Sequence, residues 1–245
     1  MSSLYTSVSG MQAYSVQLDV AANNVANANT PAYKTQATSF STLGGGYPPG
    51  QGVAVSGVTG DFSQGPLART DVPTDVAIQG NGFFRVEQPD GSVAYTRSGN
   101  FTVDGSGFLR SDSGGYVLGT VGRLQLSADS SNVSIDRDGL VSVTDANGNA
   151  VNVGSVSLAI FNNPQGLKAL GGENLVPTQA SGAPNVVTPG QGGGSLLSGT
   201  LEMSNVDFVT EMISMIVSRY GFKANAKALE TSAEMLKTVT DLKTS

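Results

Sequence analysis

A few short segments of the chain carry residue types that could do chemistry. Ser111-Asp112-Ser113-Gly114-Gly115 has the look of the segment around a serine nucleophile. A serine hydroxyl needs a base to take its proton, and the chain contains no histidine. Nothing in the sequence places a lysine beside it, and the same five residues read more simply as a turn between two strands. Asp145-Ala146-Asn147-Gly148-Asn149 begins like a calcium loop. Ala150 stands where the sixth position needs Gly, and no Glu follows at the twelfth, so a hairpin loop explains the segment better. The pairs Gly80/Gly82 and Gly105/Gly107 do not complete a phosphate-cradling GxGxxG, and no helix follows them. Asn100-Phe101-Thr102 and Asn132-Val133-Ser134 fit the glycosylation pattern, which three residues meet often by chance. The expectation is a protein with no catalytic residue, no cofactor-binding residue and no metal ligand set.

Composition points the same way. The chain has 245 residues, no Cys and no His, which removes disulfides, thiolate chemistry and the commonest general base and metal ligand. An all-oxygen Ca²⁺ or Mg²⁺ site is the metal chemistry left open. The net charge is −6, and no run of Lys or Arg occurs. The stripe that neutralises phosphates in nucleic-acid binding is therefore missing, as is a polybasic membrane patch. Charged residues make up only 13%, and Gly numbers 32, a balance that suits short strands joined by tight turns. No apolar stretch approaches the roughly 20 residues that span a bilayer. The first residues lack the basic and apolar regions of a secretory signal, so export, if it occurs, is expected without cleavage of one.

The elements that could position any site are a helix, a long β-rich middle and a second helix. Leu4, Val8, Met11, Ser15, Leu18, Ala22 and Val25 fall at alternating spacings of four and three, predicting a helix of about 24 residues with one apolar stripe. Asn23, Asn24, Asn27 and Asn29, followed by Pro31, predict its end, with Asn tolerating a left-handed turn. From Thr35 to Gly60 the chain turns rich in Ser, Thr, Gly and Pro, including Gly44, Gly45, Gly46, Pro48 and Pro49, and reads as an extended arm. Val76–Ile78, Phe83–Val86, Val93–Arg97, Phe101–Val103, Phe108–Arg110 and Val156–Phe161 read as strands. Asp90-Gly91, Asp104-Gly105, Asp138-Gly139 and Asn147-Gly148 between them favour type I′ hairpins, giving an antiparallel meander or barrel. A loose segment spans 177–199 and includes Gly192, Gly193 and Gly194.

The last helix is predicted over Asn205–Leu242, about 57 Å at 1.5 Å per residue. Ser204 would cap it, with Asp207 three residues on. Val206, Val209, Ile213, Ile216 and Tyr220 form a stripe that changes phase at Gly221 and continues through Phe222, Ala226, Leu229, Ala233 and Leu236. A helix so long cannot bury its stripe alone. Either the two terminal helices pair, leaving apolar surface for neighbouring copies, or both pack across the β region. The fold class is therefore α+β: two long terminal helices pairing as a coiled-coil-like core and a central antiparallel β-rich part. The expected organisation is 1–34, first helix; 35–74, linker or arm; 75–200, β-rich outer domain; 201–245, last helix.

Three blocks of residues then resemble one family. Asn23-Asn24-Val25-Ala26-Asn27-Ala28-Asn29-Thr30-Pro31-Ala32-Tyr33-Lys34 is similar to the N-terminal signature of bacterial flagellar rod and hook proteins. Asp75–Phe84, with Gly80, Gly82, Phe83 and Phe84, and then Tyr95-Thr96-Arg97-Ser98-Gly99-Asn100-Phe101 resemble the family's β-domain motif. Ser198–Asp207, with Ser204 and Asn205, resembles its approach to the C-terminal helix. The blocks keep the family's order and span nearly the whole chain, with Pro31 as a departure where many members carry Ser, Thr or Gly.

The resemblance implies a structural subunit that passes unfolded through the flagellar type III export channel. It would then polymerise with itself into the helical axial tube of the basal body, spanning the periplasm. Its partners would be other rod and hook proteins, the export apparatus and, for a distal rod protein, the P-ring and L-ring bushing, with no nucleic acid and no membrane insertion. The stripes of Leu4, Val8, Met11, Leu18 and Val25 and of Val206, Val209, Ile213, Ile216, Tyr220, Leu229 and Leu236 would be intersubunit core. The segment Val156–Gly172, with Phe161–Leu167 inside it, looks more like a distal-type rod protein, and 245 residues leave no room for the hook's extra outer domain. A proximal rod or short hook-type protein stays open, as does a secreted β-rich binding module with the helices as a stalk.

Overall fold

A computed structural model describes residues 2–44, 50–126, 132–144 and 149–244. Gly45, Gly46, Pro48 and Pro49 and the segment Asp145–Gly148 lie outside the described residues. The chain divides into two units, one of Met1–Ala28, Thr35–Asp61 and Val206–Ser245, the other of Asn29–Lys34 and Phe62–Asn205.

The first unit holds both terminal helices. Helix α1 covers Ser2–Ala26 and α2 covers Phe208–Thr244, the latter 37 residues and about 55 Å long. They run antiparallel, since Gly10 lies against Asn225 while Tyr14 lies against Gly221. The 35–60 segment is more than an arm. Gln36–Thr42 and Val53–Gly60 pair as an antiparallel hairpin with a bulge at Ser39/Phe40. It lies along α1: Asn24 Nδ2 donates to the Gln36 carbonyl at 2.8 Å and Asn24 Oδ1 accepts from the Gln36 amide at 3.0 Å. Near the far end the Ser9 hydroxyl accepts from the Val53 amide at 3.2 Å. Composition missed this hairpin because its strands are rich in Ser, Thr and Gly, and the bonds that tie it to α1 join polar side chains to backbone.

Two local expectations need correction. No Asn at the end of α1 is left-handed; Asn27 instead donates to the Asn23 carbonyl at 3.0 Å, and the left-handed residue is Ala32, at φ 61°. Ser204 does not cap α2. The Asp207 carboxylate accepts from the amides of Val209 and Thr210, at 2.9 and 3.2 Å, and the helix starts one residue later. The Thr210 bonds, and then that of Val209, hold the Asp207 carboxyl below its ordinary value of 3.8. A depressed carboxyl contributes stability above its ordinary pKa and loses it as the pH falls through the depressed one. Asp207→Asn, which caps without titrating, is expected to flatten the loss of helix circular dichroism in acid that the native chain shows.

The second unit is antiparallel β. Its nine-stranded sheet runs Lys168–Gly171, Asn174–Val176, Val93–Thr96, Phe83–Glu87, Tyr116–Val117, Leu109–Ser111 and Phe101–Val103, with Leu158–Ile160 joined to Phe83–Glu87 and Asn185–Val187 joined in turn to Leu158–Ile160. Among the described residues the path has two ends, as in an open sheet. A three-stranded meander, Asn132–Ile135, Leu140–Thr144 and Ala150–Ser155, lies beside it. Val76, Ile78, Phe84, Phe101, Leu109, Leu158 and Leu196 build the main core, with Phe84 and Phe101 edge to face at 5.0 Å.

The hairpins turn differently from the type I′ expectation. That turn needs positive φ at both central residues, yet Asp90, Asp104 and Asp138 are not left-handed. At Asp104–Gly107 the Gly107 amide bonds back to the Asp104 carbonyl at 2.9 Å and Gly107 itself sits at φ 82°. The Asp104 carboxylate accepts from the Ser106 and Phe108 amides, so the aspartate closes the turn and the later glycine reverses the chain. The segment 177–199 is likewise not loose. Ser195–Ser198 pairs with Val76–Gln79 and buries Leu196 completely. Gly80 and Gly82 press on the backbone of Gly193 and Gly194, where a Cβ would come within 2.6 Å. The glycines that made the segment look flexible are what let two backbones touch.

Candidate assembly interface

No catalytic arrangement forms around Ser111–Gly115. The segment is a hairpin loop in which Gly114 bonds back to Ser111, and the Ser111 and Ser113 hydroxyls are 3.2 Å apart, each the other's neighbour. Among the described residues no cluster of three His, Cys, Asp or Glu is placed to hold a metal ion, and no helix is long and apolar enough to cross a membrane.

The helix pair is built on small residues. The buried positions of α1 are Ser7, Gly10, Ala13, Ala21 and Asn24, and those of α2 are Ser218 and Ser232. The Tyr14 ring sits on Gly221, where an added Cβ would be 2.5 Å from ring carbon. Asn225 donates to the Gly221 carbonyl at 2.9 Å, which holds its amide against Gly10. Such contacts bring the helix axes close and push larger side chains to the flanks. Sequence reasoning passed over Gly10, Tyr14 and Asn225 because it sought large apolar residues. The phase change at Gly221 was their signal.

No residue of the two predicted stripes is buried within the chain. Leu4, Met11, Leu18, Val25, Val206 and Leu229 are half-buried, while Val8, Val209, Ile213, Ile216, Tyr220 and Leu236 are exposed, Ile213 at 57% and Tyr220 at 63%. The antiparallel register sets the start of α1 opposite about residue 233 of α2. Beyond it Met235, Leu236, Val239 and Leu242 stand exposed on the last turns of α2.

The signature residues sit mainly in the second unit. Asn24 and Asn27 hold the end of α1 as described, whereas Asn29 is exposed and the Thr30 carbonyl accepts from the Tyr33 amide at 3.3 Å. Phe83 stacks edge to face on Phe62 and on Phe161, both at 5.7 Å. Ser204 is buried, and Asn205 Nδ2 donates to the Ser63 carbonyl and hydroxyl, at 3.2 and 3.0 Å. One charge from each of the three blocks meets in a buried group. Lys34 Nζ donates to Glu202 Oε1 at 2.6 Å, and Arg97 Nη1 lies 3.5 Å from Glu202 Oε2. Each of these three charges stands far from the others along the chain, so nothing local in the sequence pairs them.

Terminal helices with unburied apolar faces, joined to an antiparallel β unit, are the features of a structural subunit. The comparisons agree. The family model for the flagella basal body rod protein matches residues 4–34, that for the FlgE/F/G D1 domain of the flagellar hook protein matches 77–143, and that for the flagellar basal body rod FlgEFG C-terminal part matches 197–242. The chain is 37% identical to the flagellar basal-body rod protein FlgG of Bacillus subtilis over 98% of both chains. It is 35% identical to FlgG of Borreliella burgdorferi over 99% of both, and 34% identical to FlgF of Caulobacter vibrioides over 95% of this chain and 94% of that one. The chain belongs to the flagellar basal-body rod family and is a structural subunit of the rod.

Proposed function

We propose that this subunit polymerises through the exposed faces of its terminal helices into the helical tube of the rod, as a distal-type subunit that carries torque and encloses the export channel. The unburied stripe of Val209, Ile213, Ile216 and Tyr220 carries this reading, because soluble chains rarely leave so long an apolar face to water. A repeated contact between unlike surfaces that does not close a ring extends into a tube. The apolar continuation past the start of α1 suits the same role. Full-length likeness to FlgG proteins supports the distal type, and the FlgF likeness keeps a proximal type as the second reading. The partners on this reading are other rod and hook proteins, the P-ring and L-ring bushing and the flagellar type III export apparatus. The subunit works within the periplasmic part of the basal body, with no turnover and no cofactor.

Ile213→Asp combined with Tyr220→Asp tests the interface. Both side chains face water in the single chain, so the melting of the purified protein should stay within about 0.5 kcal/mol of native. In cells the paired charges would be buried between copies without partners. Rods should then fail to form and swimming should stop. Normal swimming by this variant would sink the helix-face reading.

A further inference from the structure

The buried group of Lys34, Glu202 and Arg97 has no part in the helix-face contacts. The chain passes between its two units four times, next to three segments of the β unit: 29–34, 62–66 and 203–205. We propose that Glu202, held by Lys34 and Arg97, clamps these three segments together and makes them a rigid neck.

Glu202 ends the Thr200–Glu202 strand, which pairs with Leu67–Arg69, and its carboxylate is fully buried. Oε1 accepts from Lys34 Nζ and from the Gly65 amide at 2.9 Å, so one oxygen ties the first two segments to the third. Lys34 Nζ also donates to the Ser63 carbonyl at 2.7 Å. Backbone bonds close the ring: Ala32 to the Glu202 carbonyl at 2.8 Å, Met203 to the Pro66 carbonyl at 2.9 Å and Asn205 to the Tyr33 carbonyl at 3.4 Å. Arg97 fixes the ring to the sheet, since its Nη1 donates to the Gly80 carbonyl at 2.7 Å and its guanidinium lies 4.9 Å above the Phe83 ring.

The chemistry suits a joint better than a source of stability. Two cations, Lys34 and Arg97, face one buried carboxylate. Arg97 Nε and Glu202 Oε2 make no hydrogen bond. Burial pulls the Arg97 guanidinium below its ordinary pKa, with Glu202 opposing. A buried ion pair often gains little over apolar residues of the same volume, whereas removing one partner is severe. What charges add is direction: a charge-assisted hydrogen bond holds an angle, while apolar surfaces slide. The mechanical value of such a neck rests on the rod reading, but its rigidity is a property of the single chain.

Hydrogen exchange on the full-length monomer measures that rigidity whether or not the chain builds a rod. In Glu202→Gln the amides of Ala32, Gly65, Met203 and Asn205 are expected to exchange roughly a hundredfold faster, with those of the Phe83–Glu87 strand within about threefold of native. Equal losses in neck and sheet would make the triad an ordinary part of the core and overturn the clamp. Unchanged neck amides would overturn it as well. If Glu202→Gln does not fold, Lys34→Met, which removes one of the two cations and keeps the Arg97 pair, is read by the same comparison. Its neck amides should exchange about tenfold faster. No change, or a change shared by the sheet, again defeats the proposal.

Discussion

Gly221→Val should force the two terminal helices apart, although in an isolated helix replacing glycine by a larger residue is favourable. Glycine in a helix interior costs about 1 kcal/mol relative to alanine, and valine costs less. At Gly221 that gain is overridden, because the new Cβ would stand 2.5 to 2.7 Å from three carbons of the Tyr14 ring. The ring must leave its seat, and overpacking of this kind costs roughly 1–3 kcal/mol. Chemical denaturation followed by helix circular dichroism should show that loss. Tyr14→Ala alone removes the ring and leaves a gap over Gly221. Combined, the two changes should be less damaging than their sum by about 1–2 kcal/mol, since the valine then fills the space the ring vacated. Strict additivity would show that the ring and the glycine do not hold the pair.

Phe84→Ala is expected to damage the β unit most. Phe84 is fully buried, packs edge to face on Phe101 and belongs to the main core. Deleting its ring should cost about 3–5 kcal/mol, the cavity adding to the lost transfer free energy. For a unit of this size that is a fall in melting temperature of about 10 °C or more. Phe40→Ala in the helical unit is the control. Phe40 is exposed on its hairpin, so the change should stay below about 1 kcal/mol. Similar losses from the two would contradict the core assigned here.

The strands were the most legible part. Val76–Gln79, Phe83–Glu87 and Val93–Thr96 stand where runs of β-formers place them, within a residue. Their partners were not legible. The ladder between Ser195–Ser198 and Val76–Gln79 joins segments more than a hundred residues apart, and nothing local in Gly192-Gly193-Gly194 announces it. Asp207 as the cap of α2 lay three residues past the expected Ser204, because choosing among neighbouring polar residues depends on backbone geometry. The Lys34–Glu202–Arg97 group was invisible for the same reason as the ladder, since each charge looks solitary along the chain.

Two terminal helices around a β-rich middle, the lack of histidine and cysteine chemistry, and the family through its three blocks could all be read from the residues in order. Period, turn residues and motif order are local properties, and they survive without any knowledge of what touches what. How the terminal helices meet is a matter of packing, which no local pattern reveals. The stripe of large apolar residues looked like their seam, yet the helices meet at Gly10, Tyr14, Gly221 and Asn225, and Val8, Val209, Ile213, Ile216, Tyr220 and Leu236 of the stripes stay exposed. Periodicity shows that a face is apolar, but which face a neighbour covers depends on how closely two backbones can approach, and here glycine sets that distance.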